Sequence, residues 1–149
     1  MSKHKIIPFT GQPGSGKTAL AKELIQKYPS RFILYDGDEI RGIFKNYDYT
    51  QKGRLENINR GFALAELSSS ESDIIISMVA PYKELRDKLK SFNKADVFEI
   101  YLHTTEIRFK EDRFCKEYEK PTENYLNIDT GRPILECIRE IENYCGLSK

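Results

Sequence analysis

A short run near the start of the chain has residue types and spacing suited to phosphate binding. It reads G-Q-P-G-S-G-K-T and fits the pattern G-x-x-x-x-G-K-[ST] at every fixed position. Glycines let backbone N–H groups turn towards phosphate oxygens, the lysine can reach the β- and γ-phosphates, and the threonine hydroxyl can bind Mg²⁺. A strand is predicted before the run and an amphipathic helix after it, which disfavours a merely structural turn. The expected nucleotide ligands are Gly11, Gly14, Ser15, Gly16, Lys17 and Thr18.

A second group of chemically useful side chains follows the second predicted strand. Asp36 and Asp38 flank a glycine, and Arg41 follows them. Because the carboxyl ends of parallel strands face the ligand crevice, these side chains are expected beside the phosphate loop. A carboxylate there can deprotonate an acceptor hydroxyl or hold Mg²⁺, and an arginine can bind an anionic acceptor. The alternative is a helix N-cap followed by surface residues, which the neighbouring phosphate loop disfavours.

A third polar group lies on a predicted helix around residues 54–60. The apolar stripe of this helix consists of Leu55, Ile58, Phe62 and Ala65. At roughly 100° per residue, Arg54, Asn57 and Arg60 lie about a third of a turn away from that stripe. The polar face looks either into a cleft or into solvent, and the spacing is compatible with both.

The elements that must position these groups are indicated by five short apolar runs. Strands are predicted at residues 6–10, 32–35, 74–79, 97–102 and 125–128. Helical stripes separate or follow them, at Leu20, Ala21, Leu24 and Ile25 and, with Pro133 in the first turn, at Ile134, Ile138, Ile141 and Cys145. The alternation predicts an α/β fold with a parallel sheet. Pro8 conflicts with the first strand, since proline cannot donate to a sheet ladder, unless a bulge or an unpaired side absorbs it.

Composition narrows the class of protein without pointing to its chemistry. The chain has 149 residues, which predicts one domain over residues 1–149, and a formal charge of +1, which argues against a protein that coats nucleic-acid polymers. No apolar run is long enough to span a bilayer, and the first one is too short for a signal peptide, so a cytoplasmic location is expected. The three cysteines form no C-x-x-C pair or zinc spacing and are expected to be reduced.

The phosphate loop alone leaves several nucleotide-dependent classes open. A switch GTPase needs both an [NT]-K-x-D and a D-x-x-G tetrapeptide. The chain has N-K-A-D at residues 93–96 but no D-x-x-G, and it is short for a motor or transporter ATPase. Small-molecule kinases remain, in which a second cleft holds the acceptor. The alternative of another class is a nucleotide-dependent binding or regulatory module without group transfer. A gluconate- or shikimate-like kinase shares the loop but gives no reason for the other polar groups.

Four ordered motifs resemble those of the adenylylsulfate kinase (APS kinase) family, over roughly residues 5–104. The family loop F-T-G-x-x-G-S-G-K-[ST] is followed from Phe9 to Thr18, and its D-G-D-x-[VI]-R element is matched from Asp36 to Arg41. Its R-x-E-N-I-R-R helix is matched from Arg54 to Arg60, with Asn59 in place of an arginine. Its S-P-Y-[RK]-x-x-R segment is matched by Pro81, Tyr82, Lys83 and Arg86, with Ala80 in place of serine.

This resemblance implies a three-layer P-loop kinase fold, with a mostly parallel five-stranded sheet and helices on both faces. It implies an ATP- and Mg²⁺-dependent kinase that acts on the 3′-hydroxyl of a small-molecule nucleotide. Lys17 would balance charge on the transferred group, and Asp36 and Asp38 would serve Mg²⁺ and the attacking hydroxyl, with their individual roles left open. Thr18 would share the metal. The acceptor would contact Asp38, Arg41, Tyr49, Arg54, Asn57, Pro81 and Tyr82, with Tyr49 where the family has a stacking phenylalanine.

The sequence departs from the family in a lid-like segment near residues 105–124. The family has a lysine-rich K-G-L-Y-K-K-A-R stretch followed by F-T-G-[IV], and residues 111–124 hold neither. Arg108 or Arg113 remains a candidate to stack on the adenine of ATP. The changed lid leaves two acceptors open, namely adenosine 5′-phosphosulfate and another conjugate such as cytidine diphosphoramidate. No nucleic-acid polymer or membrane is expected as a partner, and a homodimer is kept open.

Overall fold

The computed structural model describes residues 3–105 and 114–148 of the chain. Within these ranges the strands are β1 (Lys5–Thr10), β2 (Phe32–Asp36), β3 (Asp73–Met78), β4 (Asp96–Val97), β5 (Glu99–His103) and β6 (Tyr125–Asp129). The helices are α1 (Lys17–Lys27), α2 (Gly37–Phe44), α3 (Gln51–Ser68), α4 (Lys83–Lys90) and α5 (Ile134–Cys145). All five predicted strand regions are present, because runs rich in β-branched and aromatic residues suit a covered sheet.

The described strands form one sheet whose order places the start of the chain at its centre. Hydrogen-bonded neighbours follow the order β2-β3-β1-β5-β6, and β4 pairs with the first residues of β1. All pairings between these strands are parallel. The chain crosses to one side of β1 first and to the other side later, so the crevice of this fold opens at the carboxyl end of β1. The phosphate loop begins at that point.

Two apolar cores cover opposite faces of the sheet. Alternate residues of β3 enter them in turn, with Ile75 in one core and Ile74 and Ile76 in the other. The first core is closed by α1 and α5 through Leu20, Leu24, Ile138 and Ile141. The second is closed by α2, α3 and α4 through Ile40, Ile58, Phe62 and Leu89. The predicted three-layer architecture is confirmed, since a parallel sheet must bury both faces.

The fourth predicted strand differs from the expectation because it is divided in two at Phe98. The carbonyl oxygens of His4 and Ile6 accept hydrogen bonds from the backbone N–H groups of Asp96 and Phe98, at 3.0 and 2.9 Å. Even-numbered residues of β1 therefore face this neighbour, so the nitrogen of Pro8 points at the break between β4 and β5. Pro8 has no N–H to donate, and the neighbouring strand is interrupted at this position, so the proline is tolerated in β1. As a result the sheet has six strands rather than the predicted five.

The three cysteines differ in exposure. Cys137 and Cys145 are buried on α5, Cys115 is half-buried, and all three are free thiols. Burial raises the pKa of the Cys145 thiol to about 12, so this group is neutral at physiological pH. Among the helices that the structure describes, none has the length and apolar character needed to cross a membrane.

A buried ion pair joins α4 to β5 beside the carboxyl end of β3. The Nε of Arg86 lies 2.8 Å from Oε2 of Glu99, and both side chains are about 1% exposed. The Arg86 Nη1 donates to the carbonyl oxygen of Ala80 at 2.7 Å, and its Nη2 donates to the carbonyl oxygen of Glu119. Lys90 adds a second positive charge, with Nζ 2.5 Å from Oε1 of Glu99. Arg86 thus secures the turn that follows β3.

Replacement of Arg86 by methionine is expected to reduce the free energy of unfolding by about 3 kcal/mol, because Glu99 remains buried with part of its charge uncompensated. Urea denaturation of the variant and the wild type measures this difference. Lys88→Met on the exposed side of the same helix is the matched control and should change stability by less than about 0.5 kcal/mol. A loss for Arg86→Met no larger than that of the control would contradict the assigned role.

Candidate active site

The phosphate loop connects β1 to α1, and two of its glycines are required by its geometry. Gly16 is the N-cap of α1 and has a φ of 97°, in the left-handed region that favours glycine. A Cβ on Gly11 would lie 2.3 Å from the carbonyl oxygen of Leu102, so a side chain there would clash with the β5 backbone. The fixed glycines of the motif therefore determine both the turn into α1 and the packing of the loop against β5.

Lys17 directs its ammonium into the curve of this loop. The Nζ atom donates to the carbonyl oxygens of Gly11 and Gln12 at 3.1 and 2.8 Å and to the hydroxyl of Ser15 at 3.3 Å. The side chain is buried although it carries a positive charge. Phosphate oxygens are stronger partners for an ammonium than neutral carbonyls, because they carry negative charge. The loop therefore presents a charge suited to a phosphate group.

Thr18 and Asp36 bring two oxygen ligands together at the start of α1 and α2. The Thr18 hydroxyl donates to Oδ1 of Asp36 at 3.5 Å. The other carboxylate oxygen of Asp36 accepts from the N–H groups of Asp38 and Glu39 at 3.1 and 3.2 Å, so Asp36 is also the N-cap of α2. The capping and functional interpretations of Asp36 are thus compatible. No group of three His, Cys, Asp or Glu side chains suited to a metal ion occurs among residues 3–105 and 114–148.

Arg41 connects α2 to the loop that carries Tyr49. Its Nη1 donates to the carbonyl oxygens of Asn46 and Asp48, both at 3.0 Å, and its guanidinium carbon lies 4.1 Å from the centre of the Tyr49 ring. Burial, and to a smaller extent the neighbouring Arg54 cation, lower the pKa of the Arg41 guanidinium, and the Asp38 carboxylate opposes this lowering. An arginine nevertheless remains protonated at neutral pH, so the site keeps a buried positive charge.

The polar face of α3 is divided between the site and the surface. Arg54 and Asn57 line the cavity, whereas Arg60 does not and instead lies 4.3 Å from the centre of the Phe44 ring. Asn57 is buried, and its Nδ2 donates to the carbonyl oxygen of Gly37 at 3.3 Å. Its Oδ1 is buried without a hydrogen-bond partner in the described structure. An orphaned oxygen in a cavity wall is suited to accept a hydrogen bond from a ligand.

These groups surround one cavity of about 280 Å³. On the phosphate-loop side its walls include Gly14, Gly16, Lys17 and Thr18. The rest of its lining includes Asp36, Asp38, Arg41, Tyr49, Arg54, Asn57 and Pro81. The tertiary structure therefore brings residues from the four sequence motifs to one space. Cations and carboxylates line the same cavity, as expected where an anionic group and a hydroxyl must be held together.

Three predicted site residues that the structure describes do not line the larger cavity. Gly11 supports the loop from behind, and Ser15 lines a smaller cavity of about 180 Å³ on the β5 side of the loop. Tyr82 is not among the lining residues of either cavity and precedes α4 as its N-cap. Burial raises the pKa of the Tyr82 hydroxyl, so it is a neutral donor at physiological pH. Arg113 lies outside the described residues, as do the other residues from 106 to 113.

Two residues that the motifs did not indicate also belong to this region. Ser77 lines the larger cavity, is only 2% exposed, and has an Oγ without a hydrogen-bond partner in the described structure. Its place at the carboxyl end of β3 could have identified it, since that end of a parallel strand faces ligands. Gln12 is at a variable position of the phosphate-loop pattern. Its side chain bonds the backbone of Cys115, and nothing in the sequence predicted that contact.

Comparison with known proteins establishes the family. A family model for adenylylsulphate kinase matches residues 3–131, which is most of the chain. This chain belongs to the adenylylsulfate kinase family. Members of this family are ATP-dependent phosphotransferases, so the prediction of a kinase is confirmed.

Two relatives and one solved structure illustrate the range of similarity to this adenylylsulfate kinase family member. The adenylyl-sulfate kinase of Clostridium kluyveri is 36% identical over 84% of this chain and 67% of its own length. The cytidine diphosphoramidate kinase of Campylobacter jejuni is 28% identical over 94% of this chain and 86% of its own length. The structure of the Mycobacterium tuberculosis APS kinase CysC in complex with AMPPNP and APS has a TM-score of 0.78 and 22% identity, covering 99% of this chain and 100% of that one. That structural likeness confirms the P-loop kinase fold.

Proposed function

We propose that this kinase transfers the γ-phosphoryl group of ATP to the 3′-hydroxyl of adenosine 5′-phosphosulfate. The observation that supports this function is the single cavity in which Lys17 and Thr18 face Arg41, Arg54 and Asn57. A donor triphosphate and an anionic nucleotide acceptor need positive charge at both ends of one site, because phosphoryl transfer depends mainly on positioning and electrostatic stabilisation. The expected products are ADP and 3′-phosphoadenosine 5′-phosphosulfate.

The donor triphosphate would bind the phosphate loop. The Lys17 ammonium would exchange the carbonyl oxygens of Gly11 and Gln12 for β- and γ-phosphate oxygens, which are stronger acceptors. Thr18 and Asp36 offer a hydroxyl and a carboxylate oxygen at 3.5 Å from each other, a ligand set that fits Mg²⁺, which takes few protein oxygens and completes its shell with water and phosphate. When bound there, Mg²⁺ supplies charge neutralisation between the phosphates.

The acceptor would bind against α2 and α3. Arg41 and Arg54 would hold its anionic group, Asn57 would accept a hydrogen bond through its orphaned Oδ1, and Tyr49 would stack on its base. The 3′-oxygen would attack the γ-phosphorus as the bond to the β–γ bridging oxygen breaks. Because Asp36 is engaged with Thr18 and with the start of α2, Asp38 is the proposed acceptor of the hydroxyl proton.

Cytidine diphosphoramidate is the second candidate acceptor. It is favoured by the similarity to the Campylobacter kinase, which extends over 86% of that protein, whereas the Clostridium match extends over 67%. The absence of the usual lid motifs in residues 111–124 also favours an acceptor other than adenosine 5′-phosphosulfate. Both conjugates carry an anionic diphosphate-like group and a ribose 3′-hydroxyl, so the same arginines would serve either one.

A comparison of acceptors tests the proposal. With saturating ATP and Mg²⁺, kcat/KM is measured for adenosine 5′-phosphosulfate and for cytidine diphosphoramidate, and the product is identified by mass spectrometry. We expect kcat/KM for adenosine 5′-phosphosulfate to be several-fold higher, because adenine offers Tyr49 a larger stacking face than cytosine, a difference worth about 1 kcal/mol. The matched 3′-deoxy analogue should give no product.

The other outcomes distinguish the alternatives. A reversed preference would assign the enzyme to cytidine conjugates and refute the favoured acceptor. Turnover of the 3′-deoxy analogue would refute transfer to the 3′-hydroxyl. Negligible ADP formation with every acceptor would favour a nucleotide-dependent binding module without transfer.

A further inference from the structure

A segment of the altered lid region is fastened to the body of the protein at both ends. This segment, residues 114–119, is called the strap. At its start, the side-chain amide of Gln12 donates to the carbonyl oxygen of Cys115 at 2.7 Å and accepts from the Cys115 N–H at 2.9 Å. At its end, the N–H of Glu119 donates to the carbonyl oxygen of Pro81 at 2.9 Å, and the Glu119 carboxylate accepts from the N–H of Lys83 at 2.7 Å.

Gln12 connects this strap directly to the lysine of the phosphate loop. Its carbonyl oxygen accepts from Lys17 Nζ at 2.8 Å and from the N–H of Ser15 at 3.1 Å, while its side chain makes both bonds to Cys115. Gln12 therefore connects the strap to the part of the phosphate loop that holds the Lys17 ammonium. An amide side chain is needed, because donation and acceptance at one backbone residue require both an N–H and an oxygen.

The strap also completes the smaller cavity beside the phosphate loop. Phe114 lines this cavity together with Gln12, Gly14 and Tyr101. Because Phe114 precedes Cys115, the paired bonds from Gln12 set its distance from the loop. Preorganised walls and loops raise affinity by reducing the conformational freedom that binding must remove.

We propose that Gln12 is a positioning residue for the donor nucleotide, which holds the strap against the phosphate loop and thereby raises the affinity for ATP. This inference rests on the proposed use of ATP and is independent of the acceptor. Gln12 acts through two other groups, the Lys17 loop and Phe114. The far end of the strap lies against the turn at Pro81, which lines the acceptor side, so the strap joins the two halves of the site.

The test uses Gln12→Met, which keeps the length of the side chain and removes both bonds. Dissociation constants for AMPPNP with Mg²⁺ are measured by calorimetry, KM and kcat are measured separately for ATP, and hydrogen exchange is followed at the Cys115 amide. We expect weaker AMPPNP binding and a higher KM for ATP, each by about tenfold, with kcat changed less than about threefold and faster exchange at Cys115. Gln26→Met on the exposed face of α1 is the matched control and should equal the wild type.

Each remaining outcome bears on the inference. Unchanged AMPPNP affinity together with faster exchange at Cys115 would refute the inference. Hydrogen exchange at the Cys115 amide that stays as slow as in the wild type would also refute it. A fall in kcat and thermal stability without a change in KM for ATP would assign Gln12 a purely structural role.

A second variant is available if Gln12→Met does not fold. Cys115→Pro removes the backbone N–H that donates to Gln12, and it should weaken AMPPNP binding at least threefold. Unchanged binding would refute the inference. Failure of the wild type to phosphorylate any acceptor would refute the proposed function while leaving the AMPPNP comparison valid.

Discussion

Replacement of Lys17 by alanine is expected to lower kcat by at least about 10²-fold to 10³-fold while the protein remains folded. Its Nζ is the buried cation of the phosphate loop and donates to the carbonyl oxygens of Gly11 and Gln12. Alanine removes the charge that would balance the transferring phosphoryl group. A coupled assay for ADP formation, with the folded state checked by circular dichroism, measures the effect.

The matched control for this variant is Lys22→Ala, at an exposed position of the same helix. The control should retain wild-type kcat and KM, since an exposed charge far from the loop contributes little. Wild-type turnover in Lys17→Ala would exclude the phosphate-loop mechanism. An equal loss in the two lysine variants would indicate a nonspecific charge effect instead.

Replacement of Arg41 by alanine is expected to raise KM for the acceptor by about 10-fold to 100-fold, the amount given by one or two hydrogen bonds to a charged group. KM for ATP should change by less than about threefold, because Arg41 lies on α2 and its Nη1 is bonded to the 46–48 loop rather than to the phosphate loop. Initial-rate measurements in which each substrate is varied at saturating concentrations of the other separate the two constants. The acceptor is whichever conjugate the comparison above identifies.

Two further variants make this result specific. Arg41→Lys keeps the charge but loses the planar fork and the stacking on Tyr49, so it should recover only part of the acceptor affinity. Arg139→Ala, at an exposed position of α5, should have no effect on either constant. Equal increases in the two KM values for Arg41→Ala would refute the assignment of this residue to the acceptor.

The strands could be predicted from sequence because their residues are apolar for local reasons. Residues 74–79 are covered on both faces and are almost continuously apolar, and they correspond to β3 with ends displaced by one residue. The division of the fourth strand could not be predicted. It depends on which side of β1 the nitrogen of Pro8 faces, and that is decided by pairing with residues about 90 positions away.

The candidate site was predictable to the extent that its residues belong to motifs. Helical spacing placed Arg54, Asn57 and Arg60 on one face, yet α3 lies so that only the first two reach the cavity while Arg60 contacts Phe44. Spacing along a helix specifies angles around its axis and says nothing about how the helix is rotated against the sheet. The inclusion of Tyr82 as an acceptor contact stays a prediction, since its ring lies outside the cavity lining.

By itself, the sequence determined the phosphate loop, the five strand regions along the chain, and the candidate residues for a donor and an acceptor, because each depends on neighbouring residues in the chain. The tertiary structure decided which of those residues share a cavity, that Asp36 both caps α2 and faces Thr18, and that Gln12 holds the strap. Such pairings follow from the packing of elements that are distant in sequence. Whether a given polar atom finds a hydrogen-bond partner therefore depends on the whole fold. Short-range patterns carry no record of them.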